Sequence, residues 1–223
     1  MTARLVDLSH RVEMGMFTHP GLPGPTWEAF RSREQYRESS GTDFQVDRVT
    51  LVGNTGTYLD SPFHRFADGG DLASLPLSAV ADLPVLVVDA RGSERGVGPD
   101  VLAGALDAAG DAVTGAAVLL HTGGDRAWGG EDYARDAPFL TGDGAGWLAE
   151  RRAALVGIDA VNIDDLEDAS RPAHTRLLAA GVLILEHLTG LADLPDSGAR
   201  LHAAPPAWSG VGTWPVRAYA LVG

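Results

Sequence analysis

Short apolar runs limit what this chain can fold into, because none approaches a membrane span and most match the length of one strand. They are rich in Leu and β-branched residues and are bounded by Gly, Pro or Asp, as strands are. The runs occupy residues 5–8, 46–52, 85–89, 117–121, 154–158, 182–186 and 216–222. Helical spacing lies between the later runs, at 99–110, 144–153 and 170–181. Strands followed by alternating strands and helices predict a mixed α/β domain.

The 223 residues fit one large domain, and no linker divides them. We therefore predict a single domain over 1–223. Residues 11–43 are the irregular part, with three prolines followed by the polar run RSREQYRESSGTD. This segment predicts a long arm or loop, and long loops in compact domains are often functional.

The composition excludes several kinds of site. The chain has no cysteine, and its 17 basic residues are all arginine. Schiff-base and P-loop lysines, thiolate nucleophiles and cysteine-bound metals are therefore excluded. A net charge of −13 disfavours binding to nucleic acid or anionic membranes. Because the first residues also lack the apolar core of a signal peptide, we expect a cytoplasmic protein that acts on a small molecule.

One short stretch, GNTGTYLDSPFH at residues 53–64, concentrates polar side chains. In an extended chain its even-numbered polar residues would share one side, and they are Asn54, Tyr58, Asp60 and His64. Gly56 would allow a positive φ or a close approach of the backbone. The alternative is an Asx-turn that leads to a solvated Asp and His.

A second polar group ends the apolar strand in GVLILEHL, residues 181–188. Alternation places Glu186 on the face of Ile184, and a carboxylate there is costly unless it is paired. His174 shares a helix side with two leucines, so it is either a core histidine or a functional one. Together Asp60, His64, His174 and Glu186 form a ligand set that suits zinc or manganese.

A glycine-rich loop, HTGGDRAWGG at 121–130, follows the strand at 117–121. Its position at the carboxyl end of a strand would let Asp125 and Trp128 line a pocket. The alternative is a glycine-rich turn around a buried tryptophan.

These segments resemble the metal-dependent cyclase/hydrolase family, which includes bacterial kynurenine formamidase and isatin hydrolase. The family pattern H-x-G-T-H-x-D-x-P-x-H reads N-T-G-T-Y-L-D-S-P-F-H here. Further similar blocks are LVDLSHRVEMGMFTHPG, HTGGDRAW, AHTRLLAAGVLILEHLTGL and GTWPVRAYALV. The resemblance implies a swivelling β/β/α fold, one domain with a central mixed sheet flanked by helices. It also implies a homodimer or a larger homo-oligomer.

Residue by residue, the resemblance makes Asp60, His174 and Glu186 metal ligands and His64 the acid/base. Two histidines of the pattern are replaced, by Asn54 and Tyr58. We therefore expect one divalent metal per chain, zinc or manganese, or none if the remaining ligands do not suffice.

The main functional hypothesis is a metal-dependent hydrolase of a small cyclic or aryl amide. The metal would polarise the carbonyl and lower the pKa of a bound water, and His64 would move protons. Tyr58 and Asn54 would stabilise the oxyanion. The residues expected to contact the substrate are Asn54, Trp27, Phe63, Asp125 and Trp128.

Two alternatives stay open. A metal-poor or metal-free cyclase could close a ring in aromatic polyketide or antibiotic biosynthesis, with a His64–Asp60 dyad and Tyr58 as proton donor. A non-catalytic binding protein is disfavoured, because the four residues of the proposed ligand set and acid/base are all retained.

Overall fold

The apolar runs at 85–89, 117–121, 154–158 and 182–186 form the centre of one large curled sheet in the computed structural model, which describes residues 4–223. Its nine strands have the order β1-β13-β11-β5-β7-β9-β10-β4-β12. The strands of the described chain are β1 (Arg4–Asp7), β2 (Thr26–Arg31), β3 (Val46–Thr50), β4 (Tyr58–Asp60), β5 (Ala81–Asp89), β6 (Gly96–Val97), β7 (Ala117–His121), β8 (Phe139–Leu140), β9 (Leu155–Ile158), β10 (Leu183–Glu186), β11 (Ser197–His202), β12 (Thr213–Pro215) and β13 (Tyr219–Val222). The helices are α1 (Arg33–Ser40), α2 (Pro99–Leu106), α3 (Gly142–Glu150) and α4 (Pro172–Ala179).

The four central strands, β5, β7, β9 and β10, run parallel, and the outer strands pair antiparallel. Parallel strands are covered on both faces, so their sequences are continuously apolar. Along β7, Val118 and Leu120 face one core cluster, while Leu119 faces the other. Helices α2, α3 and α4 pack on the first of these faces. The predicted mixed α/β fold with a central sheet flanked by helices is confirmed.

Several predicted element boundaries differ from the structure. The helix predicted over 99–110 is α-helical only through Leu106. The chain continues from Asp107 as 3₁₀ turns, which Gly110 interrupts with a φ of +52°. The strand predicted over 216–222 begins only at Tyr219. Strands β11 and β12 had no apolar run to mark them. No helix in residues 4–223 has the length and apolar character needed to cross a membrane.

The segment predicted as an arm or loop over 11–43 contains regular structure. Strand β2 pairs antiparallel with β3, and α1 connects them, so the arm continues to Thr50. The Ser32 hydroxyl and the Gln35 side chain form a capping box that starts α1. Every residue of β2 and β3 is exposed, and α1 has no buried residue. The predicted strand at 46–52 therefore belongs to the arm and not to the core.

Candidate active site

Strand β4 places the polar residues of the 53–64 stretch beside those of β10. Tyr58 lies opposite Glu186, and Asp60 lies opposite Ile184. Between them Leu59 points into the core, as the alternation of a strand requires. Gly56, with a φ of +64°, makes the turn that enters β4. Tyr58, Asp60 and Glu186 are all fully buried.

His174, at the start of α4, faces Asp60 and is held from behind by Asp164. His174 Nε2 lies 3.7 Å from Asp60 Oδ2, and Nδ1 lies 2.6 Å from Asp164 Oδ2. The Asp164 carboxylate also accepts the backbone N–H groups of Ala173 and His174, at 2.6 and 3.0 Å. Asp164 therefore caps the first turn of α4 and fixes the His174 tautomer with Nε2 towards Asp60.

This arrangement makes His174 a strong base. Burial acts to lower its pKa, but the hydrogen bond to Asp164 and the nearby Asp60 and Glu186 outweigh burial and raise the pKa of His174 to about 10. Burial likewise acts to raise the pKa of Asp60, yet its contacts with His174 and His64 lower it overall. In the metal-free protein a proton is therefore held between these groups, and a metal that uses Nε2 must displace it.

Replacing Asp164 with Asn should weaken metal binding about 10- to 100-fold, because the partner that orients His174 loses its charge. Competition with a chromophoric chelator measures this affinity. The matched control is Asp143→Asn, at a carboxylate whose side chain is 82% exposed. Equal affinity of Asp164→Asn and the wild type would contradict the orienting role.

Thr213 connects Asp60 to His64. A hydroxyl has one proton, and Thr213 Oγ1 lies 2.5 Å from Asp60 Oδ1, which can only accept. Thr213 therefore donates to Asp60 and accepts from His64 Nδ1, at 2.6 Å. His64 Nε2 is left as the basic atom, 3.9 Å from Asp60 Oδ1. Gly212 lets the strand of Thr213 approach the backbone of His64, since a Cβ at Gly212 would lie 2.5 Å from the backbone nitrogen of His64.

Tyr58 and Glu186 form a fully buried pair. The Tyr58 hydroxyl donates to Glu186 Oε2, and the backbone N–H of Ile163 donates to Glu186 Oε1. Burial raises the pKa of Tyr58 well above its usual range, and the Glu186 and Asp60 charges raise it further. Tyr58 is thus a neutral hydrogen-bond donor, and burial also raises the pKa of Glu186 to about 7.

Tyr58→Phe should lower the free energy of unfolding by about 1–3 kcal/mol, because buried Glu186 then loses a donor. Urea denaturation gives this difference. Tyr36→Phe, on the exposed arm, removes the same hydroxyl from a site without that contact and should change stability by less than about 0.5 kcal/mol. Similar losses in the two variants would contradict the importance of the buried pair.

The donor atoms fit a cation. Asp60, His64 and His174 each offer one ligand atom, and these atoms lie within 4.8 Å of one another. Asp60 Oδ2 is buried without a hydrogen-bond partner. The His174 Nε2 distances of 3.7 Å to Asp60 and 3.8 Å to Glu186 are close to the roughly 3.3 Å between ligands of tetrahedral zinc. Asp60 and His174 of this group are two of the three predicted ligands, and its third member, His64, is the predicted acid/base. The assignment of Asp60, His174 and Glu186 as ligands stays a prediction.

A cavity of about 360 Å³ opens onto this group. Its lining residues are His19, Pro20, Gly21, Leu22, Asn54, His64, Arg65, Asn162, Arg171 and His174. Of the predicted substrate contacts, only Asn54 is among them.

The other predicted substrate contacts lie elsewhere in the described chain. Trp27 is on the arm and 37% exposed, and Phe63 is half-buried beside His64 in sequence. Asp125 accepts a hydrogen bond from Thr189 at 2.8 Å. Trp128 stacks on His10 with ring centroids 3.9 Å apart. A direct role for these four side chains in substrate binding stays a prediction.

Comparison with known proteins finds relatives that match nearly the whole chain. The Cyclase family model matches residues 6–165. Kynurenine formamidase of Bacillus cereus is 28% identical over 217 residues, 97% of each chain. Kynurenine formamidase of Erythrobacter litoralis is 30% identical over 206 residues, 91% of this chain and 86% of that one. The structure of isatin hydrolase A from Labrenzia aggregata bound to benzyl benzoate superposes with a TM-score of 0.86 at 26% identity, over 99% of this chain and 94% of that chain.

Proposed function

Because the chain belongs to the Cyclase family, whose model matches most of its length, we propose that it is a metal-dependent hydrolase of a small cyclic or aryl amide. Two relatives support the reaction class, since one is named a formamidase and the other an isatin hydrolase. The observation that carries the proposal is the buried donor group at the cavity, where Asp60 and His174 keep ligand atoms 3.7 Å apart.

Asp60 and His174 would hold the metal, with Glu186 Oε1 as a third donor. Imidazole suits zinc, and carboxylates suit manganese, so these two ions are the proposed cofactors. When bound, the ion supplies a Lewis acid for the carbonyl oxygen and lowers the pKa of a coordinated water. Burial of Asp60 and Glu186 strengthens their interaction with a cation.

His64 would carry protons between the reacting amide and the solvent. Its side chain is 34% exposed, while those of Asp60 and His174 are almost fully buried, so only His64 exchanges protons readily with water. The hydrogen bond to Thr213 keeps the lone pair on Nε2. Such a group, positioned within reach of the leaving nitrogen, is an effective general acid/base.

Asn54 would stabilise the oxyanion. Its amide lines the cavity, and a side-chain N–H is a suitable donor for a developing negative charge. The Tyr58 hydroxyl donates its single proton to Glu186, so Tyr58 contributes by holding Glu186 in place.

Hydrolysis of formanilide-type amides and of isatin, followed by ultraviolet absorbance, tests the reaction class. We expect turnover of at least one of these with zinc or manganese present. A protein that binds the metal but turns over no aryl amide, lactam or formamide would contradict the proposal. The ring-closing reaction would then be the hypothesis to test.

We also propose that the arm packs against a second copy of the chain. It exposes large apolar side chains, and these are Trp27, Phe30, Phe44, Val46 and Val49. Exposed apolar surface rimmed by polar residues is typical of protein interfaces. Phe44→Asp should weaken self-association about 30-fold or more, as measured by light scattering over a dilution series. Leu77→Asp is the control, at an exposed leucine outside the arm, and equal effects of the two would contradict the arm's role.

A further inference from the structure

Two arginines, Arg65 and Arg171, line the same cavity as His64 and His174. Both are more exposed than the buried His174, so they lie towards the opening. Arg65 follows the 53–64 stretch directly, and Arg171 immediately precedes α4. The two elements that supply the proposed acid/base and a proposed ligand therefore also bring a guanidinium to the cavity.

Neither guanidinium is neutralised by a carboxylate of the chain over residues 4–223, within an N–O distance of 4.0 Å. Elsewhere Arg91, Arg200 and Arg217 each pair with an aspartate at 2.5–2.8 Å. The opening of the cavity thus carries two guanidinium groups that form no close ion pair within residues 4–223.

Both side chains are nevertheless held in place by neutral groups. Arg65 donates from Nε to Thr175 Oγ1 at 3.1 Å and from Nη2 to the Ser170 carbonyl at 3.4 Å. Arg171 donates from Nη1 to the Asp165 carbonyl at 2.8 Å. A guanidinium has five N–H groups, so these contacts leave most of the donors of each arginine for another partner.

The backbone of Arg171 is unusual as well. Its φ of +51° lies in the left-handed region that favours glycine. A non-glycine residue there costs free energy, and such residues concentrate at functional sites. Glycine at this position would relieve the cost but would remove the guanidinium from the cavity.

We propose that the cavity takes an amide that also carries a carboxylate, which Arg65 and Arg171 bind while the amide carbonyl faces His64 and His174. This inference rests on the proposed hydrolase function and adds the substrate class. The planar guanidinium matches a carboxylate with two parallel hydrogen bonds. A volume of about 360 Å³ is sufficient for a single aryl ring with short substituents.

Binding of 2-aminobenzoate and of its neutral analogue 2-aminobenzamide, measured by calorimetry on the metal-loaded protein, tests the inference without turnover. We expect the acid to bind at least about tenfold more tightly than the amide. Arg65→Gln and Arg171→Gln should each reduce that preference about tenfold. Arg135→Gln should not change it, since Arg135 is exposed and pairs with Asp132. Metal content is measured in every variant, so that carboxylate binding to the ion is held constant.

Equal affinity for acid and amide, or a preference that survives both Gln variants, would overturn the inference. If a Gln variant does not fold, Arg65→Lys or Arg171→Lys takes its place in the same measurement. Lysine keeps the charge but removes the planar guanidinium that matches a carboxylate. Turnover of 2-formamidobenzoate and its methyl ester separates the two proposals. If the acid binds selectively but neither formamide is hydrolysed, the hydrolase proposal fails and the carboxylate site stands. If both are hydrolysed equally, and the Gln variants change nothing, the hydrolase stands and the carboxylate site fails.

Discussion

Replacing Asp60 with Asn should reduce amide hydrolysis by about three orders of magnitude or more, because a catalytic metal supplies several kcal/mol and each 1.4 kcal/mol is tenfold in rate. The Asp60 carboxylate lies within 4 Å of three groups of the site, which are Thr213, His64 and His174. Its carboxylate accepts from Thr213 at 2.5 Å and lies 3.7 Å from His174 Nε2. An amide keeps the shape of the side chain but removes the charge that holds a cation.

Steady-state kinetics and elemental analysis of the same preparations measure this effect, and circular dichroism checks that the variant is folded. The matched control is Asp47→Asn, on the exposed strand β3 of the arm, where the carboxylate only accepts from Gln45. We expect the control to keep both metal and activity. Full metal content and full activity in Asp60→Asn would contradict the assignment of Asp60.

Replacing His64 with Ala should reduce hydrolysis about 10²- to 10⁴-fold, the usual contribution of a general acid/base, while the metal content stays close to that of the wild type. The partly exposed ring and the Nε2 lone pair fixed by Thr213 suit a proton carrier. Exogenous imidazole should restore part of the activity of His64→Ala, because the lost group is then supplied from solution.

The companion variant is Glu186→Gln, which should lose metal because Glu186 is the proposed third donor. His64 and Glu186 are the alternative third donors, since His64 belongs to the group with atoms within 4.8 Å and Glu186 Oε1 lies 3.8 Å from His174 Nε2. Loss of metal in His64→Ala together with full metal in Glu186→Gln would contradict the proposed division of roles, and would make His64 a ligand.

The central strands could be predicted because their physical cause is local. Strands β7, β9 and β10 are buried on both faces, so each is an apolar run that the sequence displays directly. The face of Glu186 followed from alternation for the same reason. His174 was identifiable because it shares the buried side of α4 with Leu177 and Leu178.

The supporting contacts could not be predicted in this way, because they depend on how distant strands pair. Thr213 reaches Asp60 across 153 positions of sequence, and it does so only because β12 pairs with β4. Asp164 is one of many acidic residues in the chain. The signal that could have identified Asp164 was its position shortly before the helix that carries His174. The N-cap residue of that helix, Arg171, has no side-chain cap of its own, so another acceptor is needed. The capping box of Ser32 and Gln35 was a local signal for α1 that the polar character of the arm concealed.

The measurement that tests the account most directly is the metal content of untagged protein, with hydrolysis assayed before and after treatment with a chelator. We expect about one equivalent of zinc or manganese per chain, loss of amide hydrolysis when it is removed, and recovery when it is added back. Protein that hydrolyses aryl amides equally well with no metal, or that takes up neither ion at any concentration, would contradict a metal-dependent hydrolase. The second result would favour the metal-free cyclase.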